Sequence, residues 1–122
     1  MAARLARRGP RLRVIAPAGS LFAEVAASYG LRVLREAFVD RAYDPDGRLV
    51  PRSRSGAVLD DPEAAAAQAV CIARDGHVTV GDDVVGIRAD TLCIHGDGAD
   101  PVACLRAVRR ALAIAGVDVA RP

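Results

Sequence analysis

Apolar positions along the chain fall into short blocks with recognisable punctuation. Arg13–Ala16 (RVIA) reads as a short buried strand. Gly19 and Ser20 then open a helix with Phe22, Val25, Ala26 and Tyr29 on one face, and Gly30 stops it. Leu31–Arg35 (LRVLR) is a second strand. Strand, helix and strand joined so tightly form a βαβ unit, which predicts parallel strands and a right-handed crossover.

Further along, Asp61-Pro62-Glu63 starts a helix: Asp61 is the N-cap, proline takes the first helical position and an acid lies in the first turn. That helix runs through the alanine block to about Arg74, and Gly76 ends it. His77–Val80 and Val84–Ile87 flank Gly81-Asp82-Asp83, a hairpin signature. Thr91–His95 (TLCIH) is another buried strand, and Asp100-Pro101 repeats the helix-start device. In the last helix, over 101–115, the period predicts Leu105, Val108, Leu112 and Ala115 inward, with Arg106, Arg109 and Arg110 outward. The fold class is therefore α/β, with three parallel strands and a small hairpin.

Composition sharpens this reading. The 122 residues are 52% hydrophobic and 26% charged, a balance that supports a packed core and has room for one domain. With two Tyr, two Phe and no Trp, the core is built from Ala, Val, Leu and Ile. All the basic side chains are Arg. Five of them, Arg4, Arg7, Arg8, Arg11 and Arg13, lie within the first 13 residues, so 1–12 reads as an Arg-rich extension ahead of a domain over 13–122. The body that follows is mildly acidic and nearly free of aromatics, which disfavours nucleic-acid binding. The longest apolar stretch, Ala64–Ala73, is far short of the ~20 residues a spanning helix needs, which argues against a membrane role. Cys71, Cys93 and Cys104 fit no zinc or C-x-x-C spacing and read as reduced thiols of a cytoplasmic protein.

Ligands of parallel α/β sheets bind beyond the carboxyl ends of the strands. Two places qualify here. Glu36, Asp40 and Arg41 follow the second strand and run into a long polar connection, Asp40–Gly56, which also holds Arg48, Arg52 and Arg54. His95-Gly96-Asp97-Gly98 follows Thr91–His95 and leads into the last helix. If the strands are parallel, both places share one edge.

His95 suits proton transfer near neutral pH, and Asp97 suits accepting a proton or orienting the ring. The plainer alternative is that Gly96-Asp97-Gly98 is a helix-entry turn. Glu36, Asp40 and Arg41 suit a zwitterionic or carboxylate substrate, Arg41 through its fork, and against that stands a local ion pair that merely pins the loop. Arg52 and Arg54 divide in the same way between an anion clamp and a solvated loop. Two His and scattered acids give no ligand set for a metal.

Two segments carry a family resemblance. REAFVDRAYDPDGRLVPRSRSGAVLDDPEAAAAQA (Arg35–Ala69) resembles the E-x-F-A-D-R-x-Y … L-V-P-R … G-A segment of the LamB/YcsF family. RADTLCIHGDGADPVACLRAVRRAL (Arg88–Leu112) resembles that family's closing A-D-[TS]-x-C-x-H-G-D segment. Val39 replaces the family's usual Ala, and Gly98-Ala99 departs from its usual continuation after H-G-D.

The resemblance implies the carboxyl-terminal part of an irregular β/α barrel related to sugar deacetylases. It further implies one component of a 5-oxoprolinase, which with partner subunits and ATP opens 5-oxo-L-proline to L-glutamate. On that basis His95, Asp97 and Asp40 would be catalytic, with Glu36, Arg41 and Arg52 binding substrate. ATP would be handled with the partner subunits, since the chain has no G-x-x-x-x-G-K-[ST] loop. The family's amino-terminal motifs, D-L-N-x-D-x-G-E and A-C-G-x-H-x-G-D, have no counterpart, so a truncated reading frame, one half of a split protein or an incomplete gene model is expected, not competent alone. Two alternatives are a metal-dependent, deacetylase-like hydrolase acting on a carbohydrate or amide, and a non-catalytic partner-binding module.

Overall fold

A computed structural model describes residues 1–6 and 12–120. A short helix α1 (Ala2–Ala6) precedes β1 (Arg13–Pro17), α2 (Leu21–Ser28) and β2 (Arg32–Phe38). There follow α3 (Pro62–Val70), the hairpin β3 (His77–Val80) and β4 (Asp83–Gly86), β5 (Thr91–Cys93) and α4 (Pro101–Ile114). The main sheet has the order β1-β2-β5, and both pairings are parallel.

The helix starts behave as the capping residues dictate. Ser20 accepts a hydrogen bond from the backbone N–H of Ala23, Asp61 from Glu63 and Asp100 from Ala103. Beyond α3, Cys71–Asp75 widens into a π-helical turn, and Gly76 closes it with φ of 71°. The expected helix to about Arg74 is thus an α-helix that changes pitch before it stops. The hairpin is antiparallel and runs from His77↔Gly86 to Val80↔Asp83.

Two helix faces differ from the pattern-based expectation. On α2 the buried residues are Ala23 and Ala26, while Val25 and Tyr29 are exposed. Alanines let the helix approach β1 and β2 closely, and so the larger side chains are left on the outside. On α4 the inward stripe is Cys104, Ala107, Val108 and Leu112, and Leu105 is 47% exposed. This face is set by packing against the alanines of α3, with Ala65, Ala66 and Ala69 sharing one core with Val39 and the α4 stripe. A second core joins Ala37, Tyr43, Ile72, Val78 and Ile87.

At the amino end, Ala2 of α1 is buried against Ala26 and Leu31. Arg7, Arg8 and Arg11 of the expected extension lie outside the described residues. Among the described residues, no helix is long and apolar enough to cross a membrane.

Strand β2 divides the sheet into two chemical faces, because alternate residues of a strand point to opposite sides. Val39 enters the core under α3 and α4, and Ala37 the core under the π-helical turn and the hairpin. Glu36, Phe38 and Asp40 therefore share the other face, which flanks an open groove lined by Pro17, Leu34, Glu36, Phe38 and Tyr43.

A bidentate ion pair fixes the entry of β5 beside β2. Arg35 Nε and Nη2 donate to Asp90 at 2.8 and 2.9 Å, and the Arg35 backbone N–H donates to the same carboxylate. The backbone N–H of Asp90 in turn donates to the Arg35 carbonyl at 2.7 Å. Hydrogen bonds from Arg35 hold the Asp90 carboxyl down at about 2, against an ordinary 3.8. A folded-state value below the unfolded one means that the stabilisation is fully present above pH 3.8 and is lost as pH falls through 2. With the two side chains 46% and 33% exposed, solvent screening reduces the contribution to about 1 kcal/mol. We expect Asp90→Asn to lower stability by about 1 kcal/mol at neutral pH and to flatten the loss between pH 4 and pH 2. Denaturant titrations at both pH values check this.

Candidate active site

The register of β2 and β5 decides which residues meet at the carboxyl edge. Glu36 pairs with Thr91 and Phe38 with Cys93, and the backbone N–H of Val39 donates to the Cys93 carbonyl. Asp40 and His95 each lie two residues past the Phe38↔Cys93 pair, so they stand side by side on the same face.

Asp40 Oδ2 accepts from the backbone N–H of His95 at 2.7 Å, and Oδ1 lies 2.9 Å from His95 Nδ1. A carboxylate only accepts, so this contact places the neutral ring's hydrogen on Nδ1 and leaves Nε2 unprotonated. The ring also stacks on Phe38, with centroids 5.4 Å apart and planes 18° from parallel. Asp40 is buried and His95 is half-buried. The imidazole is therefore held by a carboxylate, a backbone bond and an aromatic face.

Glu36 lies on the same face of β2, two side-chain steps before Asp40. Its neighbour is Cys93, whose thiol is pushed up to about 11, first by burial and then by the Glu36 charge and hydrogen bond. Asp97 does not hydrogen-bond to the Asp40–His95 pair. It forms an ion pair with Arg52, Nη1 to Oδ2 at 2.8 Å, which ties the long loop to the segment after β5. Arg52 holds the Asp97 carboxyl below the usual range through that hydrogen bond and its charge.

Arg41 corrects an expectation. Its guanidinium is not presented as a free fork for a substrate carboxylate, because Nε donates to the Ala57 carbonyl and Nη2 to that of Val50. The residue is only 6% exposed. It pins the loop, and it does so through main-chain carbonyls.

The loop itself is ordered. Asp44 Oδ1 accepts from the backbone N–H groups of Asp46 and Arg48, and Gly47 at φ of 76° completes the turn. Isolated bridges pair Arg41 with Val58 and Tyr43 with Leu49.

Three contributors escaped the reading of residue types. Phe38 supplies the stacking face, and its backbone N–H donates to the Tyr43 hydroxyl at 2.8 Å. Burial pushes the Tyr43 phenol up. Gln68 donates to three carbonyls around Asp40. The alternation Glu36-x-Phe38-x-Asp40 was the available signal for Phe38, and the solitary polar residue in an alanine block was the signal for Gln68. Behind His95, a cavity of about 20 Å³ bounded by Asp40, Leu59, Asp100 and Cys104 has room for about one water. Among the described residues, no three His, Cys, Asp or Glu converge as metal ligands would, and the three cysteines are free thiols.

Three parallel β/α strands with an imidazole–carboxylate pair at their carboxyl edge place the protein in the α/β class, in which strand-end loops build the ligand face. The LamB/YcsF family matches residues 1–122, and the chain belongs to that family. It is 47% identical over 114 residues to a 5-oxoprolinase A subunit of Heliobacterium modesticaldum, covering 93% of this chain and 45% of that protein. A Pyrococcus furiosus protein of the same name is 43% identical over 110 residues, covering 89% and 43%. The crystal structure of a lactam utilization protein from Thermus thermophilus superposes with a TM-score of 0.86 at 41% identity, over 97% of this chain and 49% of that one. The chain thus spans about half the length of the relatives it matches.

The ion pair between loop and strand end yields a direct test. In Arg52→Met, the Asp97 carboxyl should rise toward the ordinary carboxylate value, because the cation and its hydrogen bond are both removed. Carbon-detected NMR titration of the aspartates reads this. An unchanged Asp97 would show that the pair does not form in solution.

Proposed function

We propose that this chain forms the Asp40–His95 part of the site of a 5-oxoprolinase A subunit, which opens the lactam of 5-oxo-L-proline to L-glutamate with ATP and partner subunits. The observation that carries the reading is the oriented imidazole at the strand-end edge, in a chain whose relatives are named for lactam chemistry. Amide resonance makes unaided lactam hydrolysis slow, so the reaction needs a driving force and a proton carrier. ATP supplies the driving force.

Among the described residues, no triphosphate cradle is formed. The chain contains no Lys, and Arg41 is committed to main-chain carbonyls. Nucleotide handling is accordingly assigned to the partner subunits.

His95 performs the proton transfer. With Nδ1–H donated to Asp40, Nε2 takes a proton from the attacking water and returns it to the departing ring nitrogen. Asp40 stabilises the imidazolium formed between the two steps and keeps the ring from rotating. Phe38 blocks one face of the imidazole, so the proton is exchanged at the edge. Glu36 lies on the same face of β2 as Asp40, and Arg52 can meet the substrate carboxylate on leaving Asp97.

The test uses a chimaera in which this chain replaces the matching segment of the Heliobacterium relative, assayed with its partner subunits for ATP-dependent glutamate release. His95→Ala and Asp40→Asn should each lower the rate by ~10²–10⁴-fold while the fold persists. Full activity in both variants would overturn the reading. Glutamate release without partner subunits would overturn the division of labour.

A further inference from the structure

Gln68 is the only polar side chain in the alanine block Ala64–Ala69, and it lies on α3 where that helix passes beneath the end of β2. Its Nε2 lies 3.0 Å from the Phe38 carbonyl, 3.1 Å from that of Val39 and 2.8 Å from that of Arg41. These carbonyls bracket Asp40 on both sides. Two amide hydrogens serve three acceptors, so at least one is shared. The opposite amide orientation would set Oε1 against three carbonyl oxygens, so the direction of donation is settled by electrostatics.

The chain has left the β2 ladder at this point, and backbone carbonyls in a partly buried bend require a donor. Gln68 supplies it from a neighbouring helix, 27 to 30 residues away in sequence. The Asp40 carboxylate carried by that bend accepts both the backbone N–H and Nδ1–H of His95. Within this alanine helix, a donor of this reach has no packing purpose that another alanine would not serve.

We propose that Gln68 is a positioning residue for the Asp40–His95 pair: by gathering the carbonyls of Phe38, Val39 and Arg41, it aims the Asp40 carboxylate at His95 Nδ1–H. The imidazole is thereby fixed in the tautomer that leaves Nε2 unprotonated. This role rests on His95 as the proton carrier, but the tautomer is a ground-state property that can be read without turnover.

The experiment uses the full chain labelled with ¹⁵N-histidine, at a pH where the rings are neutral. Long-range proton–nitrogen correlation distinguishes the Nδ1–H and Nε2–H forms, and His77, the only other histidine, is the internal control. Gln68→Met keeps the length of the side chain and removes its donors. At His95 it should raise the ratio of Nε2–H to Nδ1–H about fivefold, the change equivalent to one lost hydrogen bond. His77 should not change.

Asp40→Asn, which leaves one acceptor oxygen for two donors, should move His95 in the same direction. Adding Gln68→Met to Asp40→Asn should move it no further, since Gln68 acts through Asp40. An unchanged His95 ratio in Gln68→Met overturns the proposal. So does an equal change at His77, or a full additional effect in the double variant.

Should Gln68→Met fail to fold, Gln68→Asn keeps the donors one methylene short. A partial rise at His95 then supports the role, and no rise overturns it. A shifted tautomer with unchanged glutamate release in the chimaera would sink the catalytic assignment of His95 and leave the positioning role standing.

Discussion

The parallel pairing of β2 with β5, in the register that sets Phe38 opposite Cys93, governs the geometry of the site. Two residues further on, that register lands Asp40 beside His95. A shift by one residue would turn one of the two side chains to the opposite face. The pairing is held at both ends. Below, the Asp90 backbone N–H donates to the Arg35 carbonyl, the Arg35 backbone N–H donates to the Asp90 carboxylate, and a bidentate ion pair joins the side chains. Above, the Asp40 carboxylate bridges to the backbone and ring of His95. Both clamps join residues 55 positions apart, so each closes a long loop whose ordering cost is met jointly with the packed helices between.

The helix layer is built from alanine so that this edge can be approached closely. Ala65, Ala66 and Ala69 of α3 meet Ala107 and Val108 of α4 over Val39, all of them buried. Small side chains forgo part of the apolar area that leucines would bury, and in return the α3 backbone lies near the end of β2. That proximity lets the short amide of Gln68 reach three carbonyls. Packing and chemistry are therefore coupled: a bulkier helix face would lift Gln68 away from the bend that carries Asp40.

The Arg-rich loop shows how one residue type divides among roles. Arg41, Arg48 and Arg52 sit within twelve positions of each other. Arg41 is buried on main-chain carbonyls, Arg48 makes an exposed contact with Asp46, and Arg52 reaches across to Asp97. A guanidinium fork suits a carboxylate, a carbonyl or a phosphate alike. Its partner is chosen by the path of the loop, and that path is set by the Asp44 turn and the bridges at Arg41↔Val58 and Tyr43↔Leu49. The anion fork expected at Arg41 was for this reason not decidable from spacing.

Local chemistry made much of the fold legible in the amino-acid sequence. Capping at Ser20, Asp61 and Asp100, the glycine stop at Gly76 and the hairpin around Gly81 act over a few residues, so they are readable without knowing what lies across the chain. The strand-end position of Asp40 and His95 was legible for the same reason, given parallel strands. The burial of Ala23 and Ala26 rather than Val25 and Tyr29, the exposure of Leu105, the Arg52–Asp97 pair and the three bonds of Gln68 were not. Each depends on the distance and angle between elements far apart in sequence, and a helical period specifies a stripe without saying which neighbour will cover it. The sequence by itself determined where the chain turns, starts and stops and which residues end the strands. Only the tertiary structure decided which of those strand-end groups touch, because contact is fixed by register and packing between segments that share no local rule.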